Sequence, residues 1–121
     1  MKTSKKKWRK GPRLLLLLAM GALPWSCATV SGVPTPDSMI LSRADQRWPE
    51  TTTQDLVQGR ADYIHNCAAC HALHDASDLT PDQWAGVMLK MQKKARLDDA
   101  TAGLILRYLS GATTNRDPGV D

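Results

Sequence analysis

Cys67-Ala68-Ala69-Cys70-His71 is the one Cys-x-x-Cys-His in this chain of 121 residues, and Gly59 and Tyr63 stand upstream of it. Two thiols three residues apart share one helical turn, and an imidazole follows at once. Three chemistries use such a set. Each thiol can add across a vinyl group of a c-type haem, with the imidazole beneath the iron. A zinc ion would take the two thiolates and His71 plus a fourth ligand, His65 or His74. A dithiol of the thioredoxin kind needs the two cysteines alone.

The surroundings favour the first. A zinc ribbon would show a second Cys-x-x-Cys, and a thioredoxin-like dithiol would sit in a strand-helix-strand pattern; neither is present. Helical signals lie on both sides instead. A first helix is expected from about Gln54 through Cys70, with Leu56, Val57, Ala61, Ile64 and Ala68 as its apolar positions. A second opens on Thr80 as N-cap, Pro81 at the first helical position and Gln83 completing a capping box. Trp84, Val87, Met88, Met91 and Ala95 fall on its apolar face, and Lys90, Lys93 and Lys94 lie away from it. A third opens at Asp98, carries Leu104, Ile105, Tyr108 and Leu109, and stops at Gly111. Residues 112–121 are polar and read as a flexible tail.

The formal charge of +4 misleads. Seven of the sixteen Lys/Arg precede the first apolar run, and from Cys27 onward nine basic residues face twelve acidic ones, a net of −3. Nucleic-acid binding thereby loses its main support. Residues 1–26 have the order of an export signal: a basic stretch, the apolar run Leu14 to Leu23, then turn-forming residues around Pro24 and Ser26. That run is well short of the roughly 20 residues a spanning helix needs, which argues against an uncleaved anchor.

Cys27 is the odd cysteine. It sits where bacterial lipoproteins carry their lipidated cysteine, although Pro24 and Trp25 replace the usual Leu and small residue. Ser26-Cys27-Ala28 also reads as an ordinary cleavage site that would remove it. A free thiol in an oxidising compartment favours lipidation. Residues 27–53, with Pro34, Pro36 and Pro49 and no sustained period, read as a flexible tether between that anchor and a domain at 54–111.

Over Asp55 to Gly111 the chain resembles a small monohaem c-type cytochrome. Gly59 and Tyr63 before Cys67-x-x-Cys-His71 repeat the spacing of the first helix in that family, where the glycine lets this helix cross closely over the last. Ile105-Leu106-Arg107-Tyr108-Leu109 resembles the family's C-terminal helix, and Thr80-Pro81-Asp82-Gln83-Trp84 with Met91 resembles short members with a Trp-and-Met helix. The resemblance implies an all-α fold, a small bundle of about three helices around one covalently attached haem. A domain of about sixty residues without Phe buries little apolar surface, and a haem would supply the missing bulk.

By that resemblance Cys67 and Cys70 form the haem thioethers, and His71 is the proximal iron ligand, its second ring nitrogen donating to a backbone carbonyl. Met91 is the expected distal ligand and Met88 the runner-up; the bland reading keeps both as core methionines. The link from Ala72 to Thr80 can reach about 30 Å, and Thr80 to Met91 adds roughly 17 Å of helix, enough to round a porphyrin edge. His74 is tied too near His71 to serve opposite it, and His65 faces solvent or a propionate. Trp84 is expected to pack on the haem or in the core more than to relay electrons. Arg60 has an ordinary surface role or pairs with a propionate. Lys90, Lys93, Lys94 and Arg96 form a solvated face or a docking patch for an acidic partner.

The functional expectation is an exported, lipid-anchored carrier on the periplasmic side of a bacterial membrane. It would pass one electron at a time between redox partner proteins and turn over no substrate. A haem sensor or small-ligand binder with a labile sixth position is the rival, followed by a haem subunit of a larger periplasmic oxidoreductase.

Overall fold

The computed structural model describes residues 30–115, which form four α-helices and no strand. They are α1 (Ser38–Arg47), α2 (Thr53–Cys67), α3 (Pro81–Ala95) and α4 (Asp99–Ala112), with a 3-10 turn at Ala76–Asp78 between α2 and α3. The all-α class expected from the sequence is observed. None of the described helices is long and apolar enough to cross a membrane.

Local chemistry sets the helix starts. Thr52 and Asp55 form a reciprocal capping box at α2, and Thr80 and Gln83 do the same at α3, where Pro81 occupies the first turn. Asp98 accepts from the Thr101 amide and opens α4. α3 ends on Arg96 in the left-handed region (φ 55°), its amide returned to the Gln92 and Lys93 carbonyls.

α4 is the central element. α1, α2 and α3 all pack on it, and Ile105, Tyr108 and Leu109 are wholly buried. Two glycines set the crossings. A Cβ at Gly59 would lie 2.2 Å from the Leu104 carbonyl oxygen and 3.0 Å from Tyr108 Cβ, so α2 meets α4 almost backbone to backbone. A Cβ at Gly111 would lie 2.6 Å from the Ile40 carbonyl oxygen, which fixes the α1–α4 approach.

Three expectations need correction. Within the stretch 27–53 read as a flexible tether, residues 38–47 are helical, so the bundle has four helices where about three were expected. Asp37 caps α1 through the Ile40 amide (2.9 Å), and Ile40 and Ala44, one turn apart, bury the helix on α4. Leu41 packs beside them, and Ile40, Leu41 and Ala44 follow a helical period, but over only ten residues set between Pro36 and Pro49, whose punctuation reads as tether. The segment ahead of α1 is docked as well. Val33 is 2 % exposed, the Gly32 carbonyl accepts from the Ala76 amide (2.9 Å), and the Pro34 carbonyl accepts from Tyr108 Oη (2.7 Å) and Arg60 Nε (3.1 Å).

The C-terminal boundary also moves. Gly111 lies inside α4 and serves the crossing with α1, and Arg43 Nε donates to its carbonyl (2.7 Å). Ala112 and Thr113 are buried, and Thr113 Oγ1 donates to the Leu79 carbonyl (2.8 Å), so the folded unit runs past the expected end. The export signal at 1–26, Cys27 and the last six residues of the expected tail lie outside the described residues.

Candidate functional site

α2 ends at Cys67, and the chain turns tightly there, with the Cys70 and His71 amides both directed at the Cys67 carbonyl (3.4 and 3.5 Å). Residues 71–80 then lead to α3, tied to α2 at Tyr63. The Tyr63 hydroxyl makes that tie, donating to the His74 carbonyl (2.9 Å) and accepting from the His74 amide (3.1 Å). Asp75 and Asp78 cap the 3-10 turn reciprocally. Trp84 Nε1 donates to the Ala76 carbonyl (2.8 Å), and its ring meets Tyr63 edge to face at 6.3 Å. Burial pushes the Tyr63 hydroxyl up to about 12, so it remains a donor at neutral pH.

Between this segment and α3 lies an open cleft of about 550 Å³. Cys67, Cys70 and His71 line it from the end of α2 and the turn that follows, and Trp84, Val87, Met88 and Met91, at positions i, i+3, i+4 and i+7 of α3, line it from that helix. Leu109 also lines the cleft. The six residues singled out from the sequence for cofactor or metal binding within the described range, Cys67, Cys70, His71, Trp84, Met88 and Met91, thus share one cavity. Its volume and largely apolar walls are those of a site for a small organic ligand or cofactor.

The two sulfurs are free thiols, Cys67 half-buried and Cys70 exposed. Burial, followed by the neighbouring Cys70, pushes the Cys67 thiol above its ordinary value. Its place at the C-terminal end of α2 works the same way, because the helix dipole there disfavours an anion. A reactive dithiol needs the opposite shift in its attacking thiol. Nor does any group of three or more His, Cys, Asp or Glu among the described residues converge well enough to hold a metal ion by itself. Haem makes a smaller demand on the protein, since the porphyrin supplies four donors and one side chain suffices on each face.

His71 suits that demand. The tautomer with its proton on Nδ1 donates to the Ala72 carbonyl at 2.7 Å, and this leaves the Nε2 lone pair for a metal. The two methionines differ. Both line the cleft, but Met88 is 5 % exposed and belongs to the core, whereas Met91, one turn further from the α3 start, is only partly buried. His74 also lines the cleft, its ring 5.6 Å from that of His71 and its Nδ1 3.7 Å from Asp78 Oδ2; His65 is exposed and is not among the lining residues.

Arg60 is occupied with the Val33 and Pro34 carbonyls and serves the fold. Lys94 is exposed, in keeping with a solvated face, and it also lines the cleft. Its position shows in the spacing, because Val87, Met91 and Lys94 form an i, i+4, i+7 set on α3. Asn66 is a further lining residue that carried no signal in the sequence. No protein-family model, curated protein or solved structure matches this chain.

Proposed function

We propose that the chain is an exported single-haem c-type cytochrome that carries one electron at a time between redox partner proteins. It works on the periplasmic side of a bacterial membrane, held there by a lipid on Cys27. The observation that carries this reading is the convergence of Cys67, Cys70, His71 and Met91 on one cleft with largely apolar walls.

A bound haem c supplies the one-electron iron couple. Cys67 and Cys70 would hold it through two thioethers and His71 through Nε2, with Met91 as the residue for the opposite face. Met88 is left to the core. The Ala72 carbonyl orients His71 and keeps its proton off the metal-binding nitrogen. Trp84 and Val87 exclude water along the α3 wall, and Tyr63 fixes the segment that carries His71. The reading assigns no catalytic residue.

The test is the absorption spectrum of the protein matured in a periplasm, oxidised and reduced. Covalent haem should remain with the denatured chain, and the ferric protein should show the weak red band of methionine–iron ligation. A chain that matures there without haem overturns the reading. The open cleft and the exposed His71 give the sensor reading its one support, and carbon monoxide binding to the untouched reduced protein would favour it.

A further inference from the structure

The folded unit begins close to the cysteine assigned above to the lipid. Gly32 is already fixed, its carbonyl on the Ala76 amide at 2.9 Å, and it adopts φ +74° where a Cβ would strike Asp75. Val33 is buried, and the Pro34 carbonyl is held by Tyr108 and Arg60. The chain from Cys27 to Gly32 therefore has a fully extended reach of at most about 18 Å.

The point of entry adjoins the cleft. Val30, Gly32, Asp75, Ser77 and Thr114 line a shallow groove of about 400 Å³, while His74, next to Asp75 in the chain, lines the cleft. Both described ends of the chain reach this groove; Thr114 is held there by Ser77, through its amide (3.2 Å) and its hydroxyl (2.9 Å). From Ala76 to His74 is at most about 7 Å.

We infer that the face around Val30, Gly32 and Thr114 is the membrane-proximal face of the mature protein, held against the bilayer by a leash too short to let the cleft swing away. This rests on acylation of Cys27 as proposed above. The rim of the cleft then stays within about 30 Å of the lipid attachment point whatever the leash conformation. Partners that exchange electrons with it share that bilayer or approach to its surface. Charge does not provide the adhesion, because Asp75 on this face repels anionic headgroups. The lysines of α3 would provide it only by turning another face to the lipid.

The experiment uses the acylated full chain purified from membranes, on a supported bilayer of phosphatidylethanolamine and phosphatidylglycerol. Neutron reflectometry reads the water gap between bilayer and protein, with no need of bound haem. The expected gap is below about 20 Å and is unchanged at about 1 M salt, where the Debye length is short. Inserting about 40 Gly/Ser residues between Thr29 and Val30 adds an r.m.s. reach of about 35 Å and should widen the gap at least about two-fold. A gap that ignores the insertion but opens with salt assigns adhesion to the lysine face and overturns the inference. A wide gap for the acylated wild type overturns it while leaving the anchor intact. Recovery of the chain unacylated in the soluble fraction overturns the anchor and the leash together.

Discussion

Tyr63 Oη and the backbone of His74 exchange two hydrogen bonds, the hydroxyl donating at 2.9 Å and accepting at 3.1 Å, so one side chain ties the segment carrying His71 back onto α2. Tyr63→Phe removes both bonds and keeps the ring that meets Trp84. Leaving the His74 amide and carbonyl with weaker partners should cost about 1–2 kcal/mol. Thermal unfolding should show this as a fall in Tm of about 4–16 °C. The haem-loaded variant should also exchange the His74 amide with solvent faster than wild type; an unchanged exchange rate would show that the segment is held elsewhere.

The same hydroxyl gives a pH dependence with a definite sign. Its pKa is raised from the ordinary value of 10.0 to about 12 in the folded protein, chiefly by burial. The unfolded chain loses this proton first, so stability is fully present below pH 10 and declines as pH rises toward 12. Tyr108 is shifted in the same direction by the same cause. Denaturant titrations should therefore show stability falling on the alkaline side, with a shallower slope in Tyr63→Phe.

The carboxylates act at the other end of the scale. Hydrogen bonds from the Thr101 amide and hydroxyl lower the Asp98 pKa below its usual value, and Thr52 lowers that of Asp55 likewise. A depressed folded pKa means that the contribution is present above the unfolded pKa, 3.8, and is lost as pH falls through the folded value. Asp98→Asn retains a capping side chain but cannot titrate. Its stability should fall less steeply than wild type in acid, and equal acid slopes would remove Asp98 from the account.

Gly59 and Gly86 make an opposed pair. A methyl at Gly59 meets the Leu104 carbonyl oxygen, and nothing lies within 4 Å of one at Gly86. Gly59→Ala should force α2 off α4 and cost about 3 kcal/mol or more. Gly86→Ala, on an exposed part of α3, should stabilise by about 0.5–1 kcal/mol through helix propensity alone. Chemical denaturation of the two variants side by side checks both signs.

These residues also show what the sequence discloses and what it hides. Thr80, Pro81 and Gln83 start α3 by chemistry confined to four positions, so the start was legible without a partner. Gly59 was legible because its interval to Cys67 fits a pattern already known. Gly111 reads as a stop because a glycine near a helix end looks the same whether it releases the chain or admits a neighbour. The neighbour here is α1, whose stripe of Ile40 and Ala44 has meaning only once α4 is in place. Lys94 is both exposed and a lining residue, because a charged side chain can follow the period of the apolar face without sharing its polarity. The cleft residues legible in the sequence line one cavity, but the Tyr63 bonds that set its shape run to backbone, which no pattern of side chains records.

Met88 and Met91 separate packing from ligation. Met88 is buried in the core, and Met88→Ala should cost about 2–5 kcal/mol by leaving a cavity, with the haem spectrum retained. Met91 is partly exposed on the cleft wall, so Met91→Ala removes less packing and should be milder in denaturant. On the function proposed above, its effect should appear at the haem iron instead. Loss of a thioether that favours the ferrous state lowers the reduction potential and abolishes the red band of the ferric form. It also opens the sixth position to carbon monoxide. If the spectrum and potential of Met91→Ala match wild type, Met91 is not the ligand. If Met88→Ala moves them instead, the distal role passes to the buried methionine, which lines the same cleft.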